Sequence, residues 1–334
     1  MKTAILVAGG AGYVGAHACK ALARAGYLPV VLDDFSTGHR SFVRWGPSIT
    51  GDICDTALVA RTIRQFGCDG VLHFAARSLV GESVTDPAVY YANNVGGTLG
   101  LLGGMREAGC KRLVFSSTCA VYGQTGAGPI TEATPVAPIN PYGASKLMVE
   151  RILADFGMAY GMRSTVLRYF NASGADADVE VGEQRDPETH LIPRAMMALL
   201  GHLPDFTVLG ADFATPDGTA IRDYVHVADL ADAHVAALDA LFAGSAGGTY
   251  NLGSGEGHSV LQVMRAIERA TGRKLPAATG ARRAGDPPIL VADASLAHRA
   301  LGFAPTRSNL PQIAATAWAW HQRAHAPQDC RQPH

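Results

Sequence analysis

Three glycines spaced three apart, Gly9, Gly12 and Gly15, stand between a short apolar run and an amphipathic one. The apolar run, residues 3–8, stops at Gly9-Gly10 and reads as a buried strand. Residues 13–25 place Val14, Ala18, Leu22 and Ala25 at helical spacing before Gly26 stops the run. Few folds are open to a strand that passes into a helix through such a loop. One glycine permits the tight turn, one lets backbone approach a ligand, and one lets the helix pack on the strand. The free N–H groups and partial positive charge at the helix start then suit a pyrophosphate. A second apolar run, 28–32, leads into Asp33-Asp34. A carboxylate at the end of the second strand accepts from ribose hydroxyls and repels a 2′-phosphate, which favours NAD over NADP.

Apolar runs at 70–74, 112–116 and 164–169 alternate with helical spacing at 55–66, 86–108 and 141–159. That alternation predicts βαβ units in an α/β fold: a Rossmann-type, doubly wound parallel sheet covered on both faces. After Asn171 the pattern breaks. Residues 172–190 read as a loop, 191–200 as a helix, and 206–209 as a short strand. A strand end and helix follow at 225–242, a strand at 248–252 and a helix at 259–270. The expected division is an NAD-binding domain of 1–172 with a returning segment at about 225–253. A smaller C-terminal α/β substrate lobe takes 173–224 and 254–322, and 323–334 is a frayed tail. The 334 residues suit two such units.

Composition removes other classes. Apolar residues make up 48% and charged residues 17%, which excludes a disordered chain. The formal net charge of −1 leaves no basic surplus for nucleic acid. The first apolar run is too short for a secretion signal, and nothing approaches a membrane span. The six cysteines form no CxxC pair, so free thiols in the cytoplasm and no metal site are expected.

Tyr142 and Lys146 stand four apart after Pro141, a favoured first helical residue, and so share a helix face. On a solvated face the pair would do nothing. Facing a nucleotide, the ammonium is expected to lower the phenol pKa and make Tyr142 a proton acceptor. Phe115-Ser116-Ser117-Thr118 ends a strand at the same sheet edge and offers hydroxyls to the same substrate oxygen. His73, inside a buried strand, reads as a hydrogen-bonded core residue. Asp52 either caps the next helix or contacts adenine.

Together these motifs resemble the extended short-chain dehydrogenase/reductase family. Val80 to Val84, Tyr90 to Val95, Tyr142 to Glu150, Leu167 to Asn171 and Ile221 to Val227 are similar to its UDP-glucose 4-epimerases. The likeness spans residue 3 to about 304. It implies interconversion of UDP-glucose and UDP-galactose through a transient 4-keto sugar and enzyme-bound NADH. Thr118, Tyr142 and Lys146 match the catalytic hydroxyl, Tyr and Lys. Cofactor contacts would then fall on Tyr13, Val14, Asp33, Asp52 and Ile53, and on Phe74, Ala75, Asn93, Lys146 and Phe170. Sugar-nucleotide contacts would fall on Asn171, His190, Leu191, Leu209 and Arg222, and on Arg283 and Asp286. Arginine forks suit a diphosphate, and Asp286 suits ribose hydroxyls.

The apolar segments 89–102 and 147–156 either pair two copies, as in the family's dimers, or pack on the sheet; a homodimer is expected. Ser78 departs from the family, replacing a Lys near the cofactor. Leu290 stands where a bulky Tyr goes with exclusion of 2-acetamido sugars, so a side activity on UDP-N-acetylhexosamines is expected. Two rivals are another nucleotide-sugar epimerase or 4,6-dehydratase of this fold, and a non-catalytic NAD-sensing scaffold. The dehydratase places Asp-Glu after the strand-end Thr, where this chain has Cys119-Ala120. A scaffold would need neither Tyr142 nor Lys146.

Overall fold

The computed structural model describes residues 2–126, 128–282 and 286–325. Its first half alternates strand and helix. Strand β1 (Ala4–Ala8) leads to α1 (Tyr13–Arg24), β2 (Leu28–Asp33) and the short β3 (Ser48–Thr50). Then come α2 (Thr56–Phe66), β4 (Cys68–His73), α3 (Val80–Thr85), α4 (Pro87–Tyr90) and α5 (Gly97–Glu107). Strand β5 (Arg112–Thr118), helix α6 (Pro141–Tyr160) and strand β6 (Arg163–Tyr169) complete this half.

The 86–108 run is not one regular helix. Between α4 and α5 the chain widens into a π-helical stretch, Tyr91–Gly96. The 172–190 segment also differs from its loop reading at its start, where β7 (Asn171–Ser173) is a strand. Beyond it lie α7 (Leu191–Leu200), β8 (Thr207–Leu209), β9 (Ile221–His226), α8 (Val227–Phe242) and β10 (Gly247–Leu252). The remainder is β11 (Gly257–Ser259), α9 (Val260–Thr271), β12 (Ala278–Gly280), β13 (Ile289–Leu290), α10 (Ser295–Leu301) and α11 (Leu310–Ala324).

The main sheet has seven parallel strands in the order β10-β6-β5-β4-β1-β2-β3, a Rossmann-type arrangement as expected. The order reverses between β1 and β4, which opens a crevice beyond their carboxyl ends. Strand residues Ile5 to Ala8 are wholly buried because both faces are covered. On one face α1 and α8 pack with Val7, Val31, Leu72 and Val114; on the other lie Leu6, Leu32, Leu101 and Val149. A separate core joins α7, α9 and α11 through Met196, Ile267 and Ile313. Beside it, β7, β11 and β13 all pair with β9. The smaller lobe therefore meets the main sheet along its carboxyl edge, and β9 runs straight into α8. The described cysteines are all free, and no described helix is long and apolar enough to cross a membrane.

Candidate active site

The crevice is built first by backbone. Phe74 N and Ala75 N both donate to Ala8 O, at 2.8 and 3.0 Å, and tie the ends of β4 and β1 together. Gly9 turns the chain with φ +77, and a Cβ there would lie 2.5 Å from Ala75 N. A Cβ on Gly15 would lie 2.2 Å from Gly9 O, so helix and loop touch through bare backbone. Gly12 differs: its nearest protein neighbour, Gly9 O, is at an ordinary 3.5 Å. The protein does not fill that side, and the start of α1 stands open toward a ligand. Asp33, 7% exposed, accepts from Ala11 N and Phe35 N at 2.9 Å each. Burial raises its carboxyl above the usual range, and the two N–H groups oppose that. Tyr13 is buried and donates to Gly174 O at 2.6 Å, while Val14 is half-buried. An open helix start and a fixed acid at the end of β2 fit a dinucleotide.

Asp52 does not cap α2. Its Oδ1 accepts from Cys54 N at 2.8 Å, and Asp55 is the cap, accepting from Leu58 N at 2.9 Å. An N-cap side chain accepts from a backbone N–H of the helix's first turn, and Asp55 does so while Asp52 reaches only Cys54 N, before the helix begins. Ile53 is buried in the core that holds Leu32. His73 is 1% exposed; its Nε2 pairs with Thr98 Oγ1 at 2.9 Å, and among the described residues Nδ1 has no partner. Burial lowers it to about 3, with Lys146 adding to the effect.

Three hydroxyls end β5, and partners leave one for chemistry. Ser116 Oγ pairs with His234 Nε2 at 2.9 Å, and Ser117 Oγ donates to Glu150 at 2.5 Å. Among the described residues Thr118 Oγ1 accepts from Ala120 N alone, at 3.1 Å, and its side chain acts on Tyr142. Asn140 caps α6 by accepting from Gly143 N at 2.8 Å, so Pro141 and Tyr142 open the helix beside Thr118. Tyr142 and Lys146 are both buried.

In the protein by itself burial dominates both groups. It raises Tyr142 well above its ordinary value, and the Thr118 side chain opposes that only in part. Lys146 donates to Ser116 O at 2.9 Å and lies 4.8 Å from the Phe115 ring centre. Burial lowers it to about 7 against the pull of Glu150.

The sequence reading missed Asn94. It accepts from Arg77 N at 2.9 Å and donates to Ser145 Oγ at 2.9 Å, joining the segment after β4 to α6. Neighbouring Asn93 donates to Asn94 Oδ1 at 3.0 Å. Two adjacent asparagines inside a helical run were the available signal, because Asn favours irregular backbone. Glu183 and Arg185 were also missed, in a segment with no periodicity to read.

On the lobe side, Arg222 Nη2 pairs with Asp286 Oδ1 at 2.5 Å, so the acid also orients the arginine. Leu290 pairs with Arg222 in the sheet register and packs against the cluster of Val121, Tyr122 and Phe170. His190 Nδ1 lies 2.5 Å from Glu183 Oε1, just before Leu191 opens α7. Leu209 is exposed at the end of β8, and Asn171 opens β7. Arg283 lies outside the described residues.

The model of the NAD dependent epimerase/dehydratase family matches residues 5–253. The chain belongs to this family. It is therefore an epimerase that uses NAD, and the open glycine cradle is where such a cofactor fits. The UDP-glucose 4-epimerase of Rhizobium leguminosarum bv. trifolii is 48% identical over 96% of this chain and 98% of that one. The crystal structure of UDP-glucose 4-epimerase from Brucella ovis in complex with NAD superposes with a TM-score of 0.93. It is 53% identical and covers 95% of this chain and 98% of that one. The UDP-Glc/GlcNAc 4-epimerase of Campylobacter jejuni is 35% identical, with TM-score 0.83 over 96% and 99% of the two chains.

Proposed function

We propose that this epimerase interconverts UDP-glucose and UDP-galactose by inversion at C4. The observation that carries the reading is Tyr142, at the start of α6, beside Thr118 at the carboxyl end of β5, the sheet edge at which the glycine loop after β1 also lies. NAD, when bound, would supply a reversible acceptor for the C4 hydrogen and a positive charge that would oppose the burial raising Tyr142. Tyr142 then takes the proton from the 4-hydroxyl while Thr118 holds the same oxygen. Lys146 adds charge from beneath, held by Ser116 O. After the 4-keto sugar turns over, the same phenol returns the proton. Cys119 and Ala120 carry no carboxylate, which removes the acid–base pair a dehydratase needs. The test is formation of UDP-glucose from UDP-galactose by the purified protein with no NAD added.

The remaining assignments belong to the same reading. Gly9 to Gly15, Asp33, Phe74, Ala75, Asn93 and Phe170 hold the cofactor, in a unit of 1–172 with about 225–253. Arg222, Asp286 and Arg283 hold the sugar nucleotide, with Asn171, His190, Leu191 and Leu209 around it. Leu290 stands half-buried beside Phe170 and is smaller than the Tyr it replaces, so UDP-N-acetylglucosamine is read as a second substrate. The enzyme is a homodimer through α5 and α6, whose Leu99 and Met148 are 45% and 47% exposed. It works in the cytoplasm, where free thiols persist.

A further inference from the structure

We propose that Arg185 is the cation that binds the pyrophosphate of bound NAD, reaching it across the cleft from the smaller lobe. This rests on NAD as the cofactor, and the rescue arm of its test on the family resemblance that puts a Lys at position 78 near it. The segment holding Arg185 is tied down over the phosphate cradle. Tyr13, the first residue of α1, donates to Gly174 O at 2.6 Å, and His39 Nε2 pairs with Gln184 O at 2.9 Å. Arg185 therefore emerges between the glycine loop and the chain that follows β2.

The guanidinium is aimed from both ends. Glu183, buried, accepts Arg185 Nε at 3.0 Å. Nη1 donates to Ser78 Oγ at 3.1 Å, just beyond the Phe74-Ala75 end of β4. Among the described residues Nη2 has no hydrogen-bond partner. A planar fork held at Nε and Nη1, with a free edge, is an arrangement for an oxyanion. Glu183 does not fully occupy the charge, because the same Oε1 also lies 2.5 Å from His190 Nδ1. Burial works against the guanidinium, and Glu183 more than offsets it, so the group stays charged. The ties of this segment to Tyr13 and His39, with the Nη1 contact to Ser78, set the charge between the start of α1 and the chain after β4, where a dinucleotide's phosphates would cross. Ser78 is thus not a lost cationic contact. Its hydroxyl is short enough to let a longer cation from the opposite lobe take that place.

The test compares wild type, Arg185→Gln, and Arg185→Gln with Ser78→Lys. NAD retained per subunit after gel filtration is measured by absorbance of the denatured supernatant, and the Kd for UDP by calorimetry. Wild type should keep its NAD. Arg185→Gln should bind NAD at least tenfold more weakly while its UDP affinity changes less than twofold. Adding Ser78→Lys should restore NAD retention by placing an ammonium at the same point. Three results would each overturn the proposal. One is full NAD retention in Arg185→Gln, including the case where only UDP binding is lost. Another is a loss that Ser78→Lys leaves unrepaired, which marks a folding role. The third is wild type free of NAD, which would overturn the cofactor reading with it.

Discussion

Tyr142 shows how a side chain's chemistry is set by what surrounds it and not by its nearest sequence partner. The i to i+4 spacing with Lys146 was legible, and both residues do share the buried face of α6. The direction of the pKa shift was not legible, because it depends on burial and on Lys146 turning to Ser116 O. Tyr142→Phe keeps the ring and removes the acceptor. Turnover should fall at least about a hundredfold, the low end of a general-base effect, with NAD and UDP still bound. Rates measured beside bound-NAD content check this, and near-normal turnover would remove Tyr142 from its role. Leu290 carries the prediction about substrate breadth. Leu290→Tyr should overfill the sugar pocket, and overpacking of that kind costs about 1–3 kcal/mol. The kcat/KM for UDP-N-acetylglucosamine relative to UDP-glucose should then drop by roughly one to two orders of magnitude. An unchanged ratio would place Leu290 outside the pocket.

Elements were most readable where one physical demand ruled a stretch. Strands β1 and β2 are buried almost throughout and are nearly unbroken apolar runs, while β4, β5 and β6 each keep a shorter buried apolar stretch. The loop between β1 and α1 was readable because Gly9 and Gly15 stand where no side chain fits. Gly15→Ala would drive a methyl to 2.2 Å from Gly9 O, a backbone atom that cannot step aside. That variant should lose cofactor and melt at lower temperature, as thermal unfolding with and without added NAD would show. An unchanged melting temperature would mean the loop is slack. The π-helical stretch Tyr91–Gly96 was hidden because its neighbours keep ordinary helical periodicity. The segment 174–190 was hidden for a different reason. It is organised by ion pairs and backbone contacts to distant residues such as Tyr13, His39 and Ser78, and sequence spacing carries no trace of those.

The whole molecule buries a set of neutral histidines, and this sets its acid response. Burial lowers His17, His226, His234 and His321 to about 4 and His73 to about 3. Unfolded, each takes a proton near 6.5; folded, none does until far lower. The fold is therefore favoured above about pH 6.5, and that stability is lost as pH falls toward 4. Each histidine adds up to about 1.4 kcal/mol of loss per pH unit inside that window. Melting temperatures between pH 7 and 4 should fall steadily, and His234→Gln should flatten the slope. A level profile from 6.5 to 4.5 would show that these imidazoles are not held neutral. Chemistry at C4 has its own signature in heavy water. Purified protein with UDP-galactose in D₂O and no added NAD, followed by proton NMR, should yield UDP-glucose that keeps its original hydrogen at C4. No deuterium should enter the ring carbons, because only the hydroxyl proton passes through Tyr142. Deuterium at C4 or C5, a 6-deoxy product, or unchanged UDP-galactose would contradict inversion by this site.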